Sequence, residues 1–105
     1  MKSKIAMGIT TCDKISVAKE IVAALLEDEL IACGQIEEPI TSMFWWNNAF
    51  QEKKEWRVTV KFKLENAKRI QNVVEAKNIY ETPQWVYWEL ESSPDFSDWV
   101  RNPRS

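Results

Sequence analysis

From Gln35 to Lys63 the chain keeps a period of two, and that repeat limits the possible fold more than any other feature. Ile40, Ser42, Phe44 and Trp46 fall on one side of an extended chain, and Thr41, Met43 and Trp45 fall on the other. After Asn47 and Asn48 the alternation resumes over residues 50–63. Trp56, Val58, Val60 and Phe62 share one face there, while Glu55, Arg57, Thr59, Lys61 and Lys63 share the opposite one. Asparagine tolerates positive φ, so Asn47-Asn48 predicts a tight turn and the two runs predict one long hairpin. Pro39, which has no N–H to give to a ladder, marks an edge or a bend in its first strand.

The flanking segments predict what that hairpin packs against. Residues 4–11, KIAMGITT, are apolar and β-branched, as in a buried strand. Asp13 is a plausible N-cap for the next segment. There Ile15, Ala18, Ile21, Val22, Leu25, Leu26 and Leu30 recur at three- and four-residue spacing, opposite Lys19, Glu20, Glu27 and Asp28. This predicts an amphipathic helix of roughly four turns, ending near Leu30 to Ala32. Asn66 can cap a second helix to about Lys77 that buries Ala67, Ile70, Val73 and Val74. A turn with Pro83 leads to a last strand over 84–90, and Pro94 opens a short helix holding Phe96, Trp99 and Val100.

The predicted order is β-α-β-β-α-β plus a short C-terminal helix. It is the α+β, ferredoxin-like sandwich, with an antiparallel sheet and both long helices on one face. Residues 1–105 are expected to form a single domain, since a chain of this length has no room for a second core. Two helices cover only one face of such a sheet, yet the middle and last strands carry large apolar residues on both. Trp85, Tyr87 and Glu89 alternate with Val86, Trp88 and Leu90. An apolar face of that size predicts an oligomer packed through its open sheet faces, with the hairpin as an embracing arm.

Composition removes many functions. Fourteen basic side chains stand against 16 acidic ones, a net charge of −2, which argues against tracking nucleic-acid phosphates. Histidine is absent, so the usual general base, imidazole metal ligands and Ser-His or Cys-His nucleophiles are excluded. Gly8 and Gly34 are the only glycines, too few for a glycine-rich phosphate loop. Met1-Lys2-Ser3-Lys4 leads into no signal-peptide pattern, and no apolar run approaches the ~20 residues that span a bilayer, so a cytoplasmic protein without membrane attachment is expected. Cys12 and Cys33 are too few for a disulfide framework. No catalytic constellation remains, and an enzyme is not expected.

The ordered set ELIACGQ (29–35), TSMFWWNN (41–48), Glu55 and Lys61, IYETPQW (79–85) and DFSDWV (95–100) resembles the CutA1 family. The resemblance covers about residues 5–101. It implies a small cytoplasmic ferredoxin-like protein that forms a tight homotrimer, similar to the PII signalling proteins and associated with tolerance to divalent cations, notably copper. Several positions depart from the family pattern. The tyrosine of Ser-x-Tyr-x-Trp is Phe44, between Ser42 and Trp46, and the glycine of the hairpin turn is Asn48. Lys-Thr becomes Lys61-Phe62, His-Pro-Tyr becomes Asn78-Ile79-Tyr80, and Pro-Glu becomes Pro83-Gln84. A cysteine common after the first helix is matched by Cys33. The first-strand cysteine of some members falls at Thr10, with Cys12 two positions on.

Thiolate with imidazole suits copper, and this chain has no imidazole. A metal site in it must use Cys12 and Glu55, with Glu81 and backbone oxygens, a set better matched to a weakly held hard ion than to Cu(I) or Zn. The expected inter-subunit cleft or interface takes in Thr10, Thr11, Phe44, Trp46, Trp56, Lys61, Tyr80, Trp85 and Trp99. Its first-strand end would approach Glu55 and the Tyr80 segment of a neighbour. Each residue also has a plainer reading. The aromatic cluster reads as core and interface rather than a base-stacking platform. Cys33 reads as a small buried hydrophobe, and Cys12, though near a helix N-terminus, as structural. Glu55 and Lys61 lie about 20 Å apart on one strand face, too far to pair within a subunit. A small-molecule or protein-partner module of the PII type, with no metal role, is the alternative.

Overall fold

The computed structural model describes residues 3–104. Strand β1 (Lys4–Cys12) leads into helix α1 (Ile15–Glu27), strands β2 (Cys33–Ile36), β3 (Ile40–Trp46) and β4 (Ala49–Phe62), helix α2 (Ala67–Lys77), strand β5 (Val86–Glu91) and helix α3 (Pro94–Arg101). The sheet runs β2-β4-β1-β5, with β3 also on β4, and every neighbouring pair is antiparallel. This is the expected α+β, ferredoxin-like order, with its second strand divided in two.

The division is a one-residue slip. Ile36 pairs with Val58, and Glu37 continues the ladder by donating its N–H to the Arg57 carbonyl at 2.9 Å. The next ladder pair is Ile40 with Glu55. Glu38 and Pro39 therefore oppose Trp56 alone, a β-bulge placed where proline has no N–H to give. Beyond the bulge the even-numbered residues change face. Ile36 lies on the helix side with Val58, whereas Ile40, Ser42, Phe44 and Trp46 lie on the opposite side with Glu55, Lys53, Gln51 and Ala49.

Alternation along β1 and β4 builds the main core. Ala6 and Cys12, with Val58, Val60 and Phe62, meet Ala18, Ile21, Val22 and Leu25 of α1 and Ala67, Ile70 and Val74 of α2. Ile15 and Leu26, expected on the buried face of α1, lie exposed at its edges. The helix also stops earlier than its apolar spacing predicts. Glu29 adopts φ 58°, and Leu30 donates its N–H back to the Leu25 carbonyl at 2.9 Å, so Leu30 enters the core from outside the helix. Asp13 does not cap α1: the N-cap residue is Lys14, and no side chain supplies the cap. Asn66 holds the N-cap position of α2, but its amide donates to the Leu30 carbonyl at 3.0 Å instead of closing the cap.

The other face is only partly covered. α3 lays Val100 against Ile5, Ala32 and Leu90, leaving Trp88 43% exposed and Val86 exposed beside it. Beyond Trp56 the β3–β4 ladder has no third strand, so it projects as a two-stranded arm of about 20 Å. Asn47 and Asn48 turn its tip with φ 51° and 62°, as the turn signal predicts. Met43, Trp45 and Phe50 are exposed along the arm, with Trp45 packed edge-on against Phe50 at 5.7 Å. No helix of the described residues is long and apolar enough to cross a membrane.

Candidate functional site

At the root of the arm, β3 and β4 form one wall of a groove of about 460 Å³, and residues 80–84 form the other. The phase slip at Pro39 makes the first wall, because it sets Ser42, Phe44 and Trp46 beside Gln51, Lys53 and Glu55. Thr11, at the end of β1, joins them. The second wall is irregular chain and needs anchoring. Asn78 supplies it, donating its buried amide to the Thr11 carbonyl at 3.0 Å and accepting the Tyr80 N–H at 3.1 Å. Both bonds fix the turn that aims Tyr80 into the groove.

Glu55 is the charged group of the floor. It is only 7% exposed, and the Tyr80 hydroxyl donates to its Oε2 at 2.6 Å. No ion pair reaches it among the described residues. Lys53, two residues away on the same face, instead sets its Nζ over the Tyr80 ring, 5.3 Å from the centroid. The Tyr80 hydroxyl is pushed well above the usual phenol range, first by burial, then by its hydrogen bond to Glu55 and by the negative charge around it. It is therefore a donor to the carboxylate throughout the neutral range.

The expected metal pair does not come together as a ligand set. Cys12 is opposite Trp56 in the β1–β4 ladder and packs in the main core, whereas Glu55 belongs to the alternate face. Burial, followed by the charges of Asp13 and Glu55, raises the Cys12 thiol to about 11, so at neutral pH it is a thiol and not a thiolate. Glu81 lines the groove, but no group of three or more His, Cys, Asp or Glu able to hold a metal occurs among the described residues. One chain does not fit a copper or zinc centre.

The remaining residues divide between groove, core and surface. Thr11, Phe44, Trp46 and Tyr80 line the groove with Glu55. Thr10 is buried on the other face, its hydroxyl without a hydrogen-bond partner among the described residues. Trp56 and Trp85 pack partly buried against the main core, Trp85 lying between Phe62 at 5.9 Å and Tyr87 at 5.7 Å. Lys61 is far from the groove, its Nζ over the Phe96 ring at 5.5 Å, and Trp99 is exposed on α3 beside Phe96. Six lining residues lie outside the expected site, namely Ser42, Met43, Gln51, Lys53, Thr82 and Gln84, and so does Asn78, which anchors the second wall without lining the groove. Lys53 sits two residues before Glu55 and so on its face, which was a readable signal. Asn78 was visible only as a replaced family position.

Residues 6–103 match the family model described as CutA1 divalent ion tolerance protein. The chain belongs to the CutA1 family. Over 85 residues it is 33% identical to the divalent-cation tolerance protein CutA of Thermotoga maritima, spanning 80% of this chain and 83% of that protein. It is 27% identical to protein CutA of Mus musculus, covering 91% of this chain but only 55% of the longer mouse protein. The fold is shared with the crystal structure of CutA1 from Ehrlichia chaffeensis, with a TM-score of 0.87 at 29% identity over 95% of this chain and 94% of that one. The split second strand, the arm and the groove are thus features of this chain, which shares the fold of CutA1.

Proposed function

We propose that this CutA1-family chain works in the cytoplasm as a homotrimeric, non-catalytic binding protein in divalent-cation tolerance, copper among the cations. The groove around Glu55 is its ligand site, closed by a neighbouring subunit. The observation that carries this reading is Glu55 itself. A carboxylate sunk to 7% exposure with one neutral hydrogen-bond donor is costly to keep, and it lies at the floor of a groove walled by exposed aromatics. Self-association is supported by the apolar surface left open, Val86 and Trp88 on the sheet and Met43, Trp45 and Phe50 on the arm, and the number three by the family resemblance. The absence of histidine supports a binding role over catalysis.

Copper held directly would need donors from the neighbouring subunit, because Cys12 is protonated and faces the core. That same observation favours the second reading, a PII-like small-molecule or partner module without bound metal.

Native mass spectrometry with and without stoichiometric Cu(II) tests both, using wild type and Glu55→Gln. A trimer taking up one ion per subunit, lost in Glu55→Gln, supports direct copper binding in the cleft. A trimer that stays bare supports the second reading. A monomer refutes both.

A further inference from the structure

We infer that the Glu55 groove binds a small primary ammonium compound, one nitrogen cation on a flat or aliphatic body. The inference rests on the reading of the groove as the ligand site and names what that site takes.

The charge of the groove selects the sign. Glu55 and Glu81 stand against Lys53, so a cation or zwitterion is favoured and a simple anion is not. The protein's own cation does not satisfy Glu55, since the Lys53 ammonium rests on the Tyr80 ring. That contact shows, at the rim of the groove, the cation-on-aromatic geometry a ligand would reuse.

The number of free acceptor positions selects the kind of cation. Tyr80 already donates to Oε2 at 2.6 Å, and Oε1 has no donor among the described residues. A guanidinium prefers both oxygens at once, as a fork. A primary ammonium needs one strong acceptor and turns its other hydrogens to neutral oxygens, which the Ser42 and Thr11 side chains and the Gln84 amide can supply. A tightly held metal ion would need three or more ligating side chains in one place, and the described residues of one chain gather no such group. Phe44 and Trp46, 36% and 42% exposed on the groove face, give the body an apolar wall. The volume of about 460 Å³ admits a small molecule and not a folded partner.

The test is calorimetric titration of the intact oligomer at neutral pH with phenethylamine, its neutral counterpart 2-phenylethanol, and benzylguanidine. Indole N–H resonances are followed alongside, Trp46 reporting on the groove and Trp45 serving as an outside control. Phenethylamine should bind once per chain, shift Trp46 and spare Trp45. 2-Phenylethanol should bind at least about tenfold more weakly, as should phenethylamine to Glu55→Gln. Tyr80→Phe frees Oε2, so benzylguanidine should gain on phenethylamine there, which keeps the test decisive if Glu55→Gln does not fold. Equal binding of amine and alcohol, or no change in preference on Tyr80→Phe, overturns the ammonium assignment. A Trp46 shift with 2-phenylethanol or Cu(II) but not with the amine also overturns it, while leaving the groove as the ligand site. If no probe moves Trp46, the assignment and the groove reading fall together.

Discussion

Gly8 gives a quantitative test of how β5 is seated. It lies opposite Val60 and Tyr87 in the sheet, and a Cβ there would come 2.3 Å from Trp85 Cη2, 2.6 Å from Cζ3 and 3.1 Å from Cζ2. Its φ is not in the left-handed region, so alanine carries no backbone strain. By itself that would favour Gly8→Ala by about 0.4–1 kcal/mol, through the unfolded chain. Packing acts the other way. To reach ordinary contact the indole must move more than 1 Å, and it is held between Phe62 and Tyr87. Overpacking of this kind costs about 1–3 kcal/mol, so a net loss of about 1–2 kcal/mol is expected. Urea unfolding at fixed protein concentration measures it, since in the proposed trimer stability would depend on concentration. In a Trp85→Leu background the obstacle is gone, and Gly8→Ala should become neutral or slightly stabilising. An equal cost in both backgrounds, or none in wild type, would refute the packing argument.

Stability should also fall as pH rises from about 9 to 11. The folded chain holds the Cys12 proton more tightly than the unfolded chain, so this contribution is complete below pH 9 and is lost toward 11, an amount of up to about 2–3 kcal/mol that Cys12→Ala should remove from the profile. Tyr80, raised in the same direction, steepens the fall above pH 10. Asn78→Ala strands the Thr11 carbonyl and the Tyr80 N–H and should cost about 1–3 kcal/mol in urea unfolding; an unchanged midpoint would show that the Tyr80 turn is held by something else. Trp45→Ser removes a side chain that is 71% exposed and packs edge-on against the Phe50 ring, so circular dichroism should be unchanged while sedimentation velocity shows subunit association weakened at least about tenfold. Unchanged association would mean that the arm lies outside the subunit contacts.

Local signals in the sequence carried the element order and the hairpin tip. Asn47 and Asn48 do in the structure what their φ tolerance predicts, and Trp56, Val58, Val60 and Phe62 bury the face that their alternation predicts. The errors lie where a distant partner decides. Leu30 continues the helical spacing of α1, but the core claims it from outside the helix, after the left-handed turn at Glu29. Asn66 looks like a cap, yet its amide bonds a carbonyl 36 positions away. Asn78 carries no local signal for its bond to Thr11, which lies 67 positions away. For Cys12 and Glu55 the residue types suggested a metal pair, but type does not report face. Only the ladder that sets Cys12 opposite Trp56 separates them.

The phase slip at Glu38 and Pro39 links these results. A period of two is preserved on each side of a bulge, so the sequence pattern looks unbroken while the faces exchange. Had the ladder of Ile36 with Val58 run on without the slip, the even residues of β3 would have shared the face of Val58, away from Glu55. Phe44 and Trp46 would then have stood on the helix side of the sheet, beyond the reach of either helix, and the floor carboxylate would have faced Met43 and Trp45. One added residue instead brings Ser42, Phe44 and Trp46 to Glu55 and Lys53, and puts Trp45 with Phe50 on the outer face of the arm. The aromatic residues of one short stretch are thereby divided between the groove and the exposed surface proposed for assembly. A ligand that presses on Phe44 and Trp46 acts on the same two strands whose outer side would meet a neighbouring subunit in the proposed trimer, so in that assembly the arm would be the shortest physical route between occupancy of the groove and subunit association.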